Sequence, residues 1–134
     1  MNELEKYIPK NKFDTKKIIE LSKYNYPYYK SILHELFIWI QDINWPVAKE
    51  IAPLLIKAGK DITPELKSIL LSNDDIWKYW SLTQILLEMP DSTQKEIVFE
   101  ISSELKRIAS NPTKGEASEE LDIIAKEILN EHFL

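Results

Sequence analysis

Asp42-Ile43-Asn44-Trp45-Pro46-Val47-Ala48 and Asp74-Asp75-Ile76-Trp77-Lys78-Tyr79-Trp80 are two versions of one motif, their tryptophans 77 − 45 = 32 residues apart. That spacing is the length of one helical hairpin, and each stretch joins the end of one apolar helical pattern to the start of another. At the same offset Phe37 meets Ile69, Ile38 meets Leu70, Leu54 meets Leu86 and Leu55 meets Leu87, while Asp42 meets Asp74. The pattern predicts an all-α fold. Its expected form is a short right-handed α-solenoid of about seven helices in HEAT-like antiparallel pairs, with the outer helices capping the stack.

Working outward, Asp14 is placed to cap a first helix carrying Ile18, Ile19 and Leu21. Tyr24, Tyr26, Tyr28 and Tyr29 surround Pro27 in a packed turn, and a second helix from about Tyr28 to Ile40 is apolar round much of its circumference. Asn44 is the expected cap of a third helix with Pro46 in its first turn, and Gly59 its expected end. Pro53 inside that helix predicts a bend or a freed carbonyl at Lys49. Thr63-Pro64 opens a fourth helix and Asp74 caps a fifth, which presents Ile76, Trp77, Tyr79, Trp80, Leu86 and Leu87 before Met89-Pro90. A sixth places Ile97, Val98, Ile101, Leu105 and Ile108 on one face, and a last helix runs from about Glu116 to Glu131 with acids in its first turn.

Composition agrees with this reading. With 134 residues the chain is long enough for one domain with a real core, residues 1–134, and short for two. Hydrophobic residues make up 44% and charged residues 29%, which excludes a disordered chain. Only 2 glycines are present, too few for the turns of most all-β folds or a glycine-rich nucleotide loop. Cysteine is absent, so disulfides and thiolate chemistry are excluded, and with no apolar run at the amino terminus the default compartment is the cytoplasm. Net charge is −5, yet residues 1–30 carry seven Lys against four acids and residues 116–134 one Lys against six. The acidic end argues against nucleic acid, and the basic end lacks aromatic residues interleaved on a binding face; no membrane association is expected.

The segments Lys12-Phe13-Asp14, Trp39-Ile40-Gln41-Asp42-Ile43-Asn44-Trp45-Pro46-Val47-Ala48 and Ser72-Asn73-Asp74-Asp75-Ile76-Trp77-Lys78-Tyr79 together resemble a bacterial family called domain of unknown function 5071. The similarity covers nearly the whole chain. It implies a compact helical-repeat domain and carries over no catalytic residue.

Stacked repeats set equivalent turns side by side, so Asp42, Asn44, Trp45, Asp74, Asp75, Trp77, Lys78 and Tyr79 are the candidate partner-binding residues. Capping and interhelical packing account for most of them, with the indole N–H held by an aspartate. Neither role requires Lys78, which is expected on the surface beside the most exposed of Trp77, Tyr79 and Trp80. His34 and His132 lack metal-ligand spacing, and the pairs Asp74-Asp75 and Glu119-Glu120 diverge by about 100° on a helix, so neither converges on a substrate. No phosphate loop or nucleophile elbow is present, and no catalytic residue, cofactor or metal is assigned. The expected function is a non-catalytic protein-binding helical-repeat module with a protein partner. The alternatives are an immunity protein neutralising a toxin, and a small-ligand binder or enzyme with a site that sequence does not display.

Overall fold

The computed structural model describes residues 3–133, and among them every regular element is helical, with no strand. The α-helices are α1 (Thr15–Leu21), α2 (Leu33–Ile38), α3 (Pro46–Ala58), α4 (Thr63–Leu70), α5 (Asp75–Trp80), α6 (Asp91–Glu100), α7 (Ser102–Ser110), α8 (Lys114–Ser118) and α9 (Leu121–Phe133). Shorter 3-10 turns at Lys30–Ile32, Trp39–Gln41 and Gly59–Ile62 connect the early helices, and α5 continues through a π turn, Ser81–Ile85. The buried apolar residues of α1 to α4, α6, α7 and α9 form one cluster, and the most extensive helix pair is α7 with α9.

The element boundaries differ from the periodic pattern where the backbone leaves helical geometry at single residues. One continuous sixth helix is expected; the chain bends at Ile101, φ −106° and ψ 13°, while the Ile101 N–H still bonds Ile97 O and Leu105 N–H bonds Ile101 O. The apolar stripe therefore passes through the bend and stays buried on both sides. The expected last helix divides at Glu120, whose φ of +58° ends α8 and lets α9 start again at Leu121. α3, in contrast, runs through Pro53. Pro53 and Lys49 both lie on the exposed face, where water can serve the carbonyl that lacks a donor. Gly59 then terminates α3 at φ +59°, a conformation side chains resist.

The fifth helix is rotated from expectation. Its core-facing residues are Lys78, Ser81, Leu82, Ile85 and Leu86, whereas Ile76 and Leu87 are exposed. Two causes are visible: an ion pair draws Lys78 inward, and the π turn inserts an extra residue that shifts the stripe.

Candidate functional site

The second motif turn reaches back toward the helix that precedes the first. Trp77 Nε1–H donates to the carbonyl of Phe37 at 3.2 Å, so the second turn is tied to the end of α2 and not to an aspartate. In the first turn Asp42 Oδ1 accepts the Asn44 N–H at 2.9 Å, Asn44 is exposed, and the N-cap of α3 is Trp45, whose side chain makes no cap bond. Trp45 instead sets its ring edge on Trp39, centroids 5.8 Å apart, and Lys12 O accepts the Val47 N–H left open at the helix start. Asn44 is therefore not the expected cap. Asp74 is one: its Oδ1 accepts the Trp77 N–H at 3.0 Å. Asp14 stands at the N-cap of α1 without a side-chain cap bond, its carboxylate taken by Lys10 N–H and Lys17. Thr63 is the first residue of α4, and its hydroxyl donates back to Lys60 O.

Lys78 overturns the expectation of a surface lysine. It is 2% exposed, and its Nζ donates to Glu116 Oε2 at 2.9 Å and Asp75 Oδ1 at 3.0 Å. Glu116 is itself 0% exposed and accepts from the two terminal nitrogens of the Arg107 guanidinium, Nη2 at 2.7 Å. It also accepts the Thr113 N–H at 2.8 Å while Thr113 Oγ1 accepts the Glu116 N–H at 3.1 Å, a reciprocal capping box at the start of α8. The Arg107 hydrogen bond foremost, then Thr113 N–H and Lys78, hold the Glu116 carboxyl well below the ordinary carboxylate range against the opposing effect of burial. A Cβ on Gly115 would stand 2.2 Å from Asp75 Oδ2, so any other residue there would displace the Asp75 carboxylate from its present place beside Lys78. The cluster joins α5, α7 and α8; its cations and anions saturate one another, which makes it a clamp and removes Lys78 from any contact surface.

The other candidate residues are placed as follows. Asp75, Trp77 and Tyr79 are half-buried, and Tyr79 lies edge-on to Trp80 with centroids 5.0 Å apart. Asp74 and Asp75 border a shallow depression of about 580 Å³ shared with Ile76 and Glu119. Among the described residues no group of three or more His, Cys, Asp or Glu is positioned for a metal ion, and no helix is long and apolar enough to cross a membrane.

A larger groove of about 1080 Å³ lies elsewhere, between α4 and α6. On α6 the residues Ser92, Lys95, Glu96, Phe99 and Glu100 recur at i, i+3, i+4, i+7 and i+8, one helical stripe, and all line the groove. The core is served by another stripe of the same helix, Gln94, Ile97 and Val98. Lys60, Thr63, Pro64 and Lys67 form the opposite wall, with Lys30 and Asp61 at one end. Phe99 is 70% exposed. Lys30 lies 3.7 Å from Asp61 and Lys60 3.9 Å from Glu96, whereas Lys67 and Lys95 have no ion-pair partner among the described residues. The Tyr26 hydroxyl also donates to Asp61, and burial followed by that carboxylate raises the phenol above its usual range.

Sequence reasoning missed Glu116, Arg107 and the groove. Thr113-x-x-Glu116 is a legible capping-box pattern, and a lysine in register with Leu82 and Ile85 is a legible anomaly on a core stripe. The groove had no such signal, because an outward stripe of mixed charge reads as ordinary solvated surface.

These arrangements define an all-helical domain held by a buried charge clamp and open along one groove. The chain belongs to the family described as domain of unknown function (DUF5071), whose profile matches residues 7–129. No curated protein matches it.

Proposed function

We propose that the chain is a non-catalytic protein-binding module, a short right-handed α-solenoid of HEAT-like helix pairs, whose contact surface is the groove between α4 and α6. The tie from Trp77 to Phe37 supports the stacking of successive helix pairs. Phe99 carries the binding reading, since a phenyl ring 70% exposed on the wall of a groove contributes little to the fold. Covering it would bury on the order of 140 Å² of apolar surface, worth about 3 kcal/mol. The candidate residues at the motif turns are largely consumed by internal bonds, which moves the favoured surface away from them.

The test is affinity capture from the native cell with the full chain and with Phe99→Asp as bait, followed by rebinding of the purified partner. A stoichiometric protein retained by the wild type and lost by an equally stable Phe99→Asp variant is the expected result. Retention of a small molecule with no protein would overturn the reading. A captured toxin encoded beside this chain would make the module an immunity protein.

A further inference from the structure

We infer that the occupant of the groove is an acidic amphipathic helix of a partner protein, with a large apolar side chain seated on Phe99 and carboxylates meeting Lys67 and Lys95; this rests on the protein-binding reading above. Shape is the first support. Two helical stripes face each other across the groove, one from α6 and one running from Lys60 to Lys67, and neither is covered. Facing ridges of this kind leave a furrow into which a third helix can pack, read by anchors at i, i+3, i+4 and i+7. The α6 stripe from Ser92 to Glu100 spans about 12 Å, so the contact is about two helical turns long.

Charge gives the sign. In a chain whose net charge is −5, the groove gathers four lysines against Asp61, Glu96 and Glu100. Lys30 and Lys60 are matched within the groove, which leaves Lys67 and Lys95 open to an incoming carboxylate and Glu100 open to a basic residue farther along the occupant. Two free cations beside three carboxylates suit spaced acidic side chains better than the continuous charge of a polynucleotide, whose affinity depends on neutralising many phosphates together. The same mixture opposes a membrane surface, which attracts uninterrupted basic patches.

The inference is tested with a displayed library of random peptides long enough for about four helical turns. Selection runs on the full chain, with counter-selection on a Lys67→Glu, Lys95→Glu, Phe99→Asp variant whose melting midpoint is checked first. Enriched peptides should carry excess Asp and Glu, with Leu or aromatic anchors at helical spacing. Phe99→Ala should weaken their binding about thirtyfold, the scale of an interface anchor. Enrichment of basic or uncharged peptides, or none beyond the counter-selected variant, would overturn the inference and leave the protein-binding reading standing, because that reading fails only in the capture experiment. Two controls name other occupants. Self-association in sedimentation velocity that Phe99→Asp abolishes would assign the groove to a second copy, and binding to phosphatidylglycerol vesicles that Lys67→Glu with Lys95→Glu abolishes would assign it to lipid; either overturns the inference.

Discussion

The turns at 42–45 and 74–77 share a motif and do different work. At the offset of 32 residues Pro46 occupies the place of Lys78. A proline excludes the preceding residue from the α region, and Trp45 accordingly sits at φ −63° and ψ 136°, so α3 cannot begin before Pro46. The second turn has no such restriction. Its helix begins at Asp75, three residues earlier in the aligned frame, which brings the Trp77 N–H within reach of Asp74 and turns Lys78 toward Glu116. The side chains of the first turn close on the turn itself and on Trp39, and only the Val47 N–H reaches farther, to Lys12 O; the second reaches α2 through its indole and α8 through its lysine. Equivalent residues in a repeat share local chemistry, and their tertiary role depends on what their neighbours permit.

The difference is largest at Lys78. Lys78→Met leaves Glu116 with a broken half of a buried ion cluster, and Glu116→Gln leaves Lys78 buried against a neutral amide. Breaking one partner of such a pair costs about 3–5 kcal/mol. Urea unfolding should show losses of that size for both, against about 0.5 kcal/mol or less for Pro46-adjacent surface changes such as Lys49→Ala. A Lys78→Met protein as stable as wild type would refute the clamp.

The same cluster gives the chain an acid limit. Because the folded pKa of Glu116 lies below its unfolded value of 4.5, its contribution is complete above about pH 5 and is lost as pH falls through the unfolded value toward the folded one. The stability gap between wild type and Glu116→Gln should therefore hold constant from pH 7 to about pH 5 and narrow below it. A gap that does not change down to pH 3 would show that Glu116 is not held ionised by Arg107, Thr113 and Lys78.

Trp77→Phe isolates the tie from the second turn to α2. It keeps most of the ring and removes the indole bond to Phe37, so a loss of about 0.5–1.5 kcal/mol is expected, with Trp45→Phe costing less because the Trp45 indole makes no hydrogen bond among the described residues. Equal losses in urea unfolding would make the two turns equivalent after all.

Much of the fold was legible in the sequence. The stripes Ile32-Leu33-Leu36-Phe37 and Val47-Ile51-Leu54-Leu55 are buried as periodicity requires, because helical spacing alone decides which side chains share a face. The breaks at Ile101 and Glu120 were not, since one residue leaving helical geometry inside an apolar stripe of unbroken period leaves no compositional mark. The candidate site was legible only as a motif. Asp74 caps and the tryptophans staple, as residue type suggests, but Lys78 was assigned to the surface because charge usually lies there, and its partner stands 38 residues away. Long-range pairing of that kind is fixed by packing and has no local period to betray it.

The smallest effect separates the two aspartates. Asp74 Oδ1 satisfies the Trp77 N–H in the first turn of α5, and losing such a cap to alanine costs about 0.5–2 kcal/mol. Asp42 Oδ1 satisfies only the N–H of Asn44, an exposed residue outside the helix, and water can replace it there. Its removal should cost about 0.5 kcal/mol or less, within the range of ordinary surface changes. Paired urea melts of Asp42→Ala and Asp74→Ala measure this directly, and Asp74→Asn, which keeps a capping oxygen, should recover most of the loss. If Asp42→Ala proved the more destabilising of the two, the Asp42 side chain would have to hold a long-range contact of its own, and the contrast drawn from Pro46 and Lys78 would reverse.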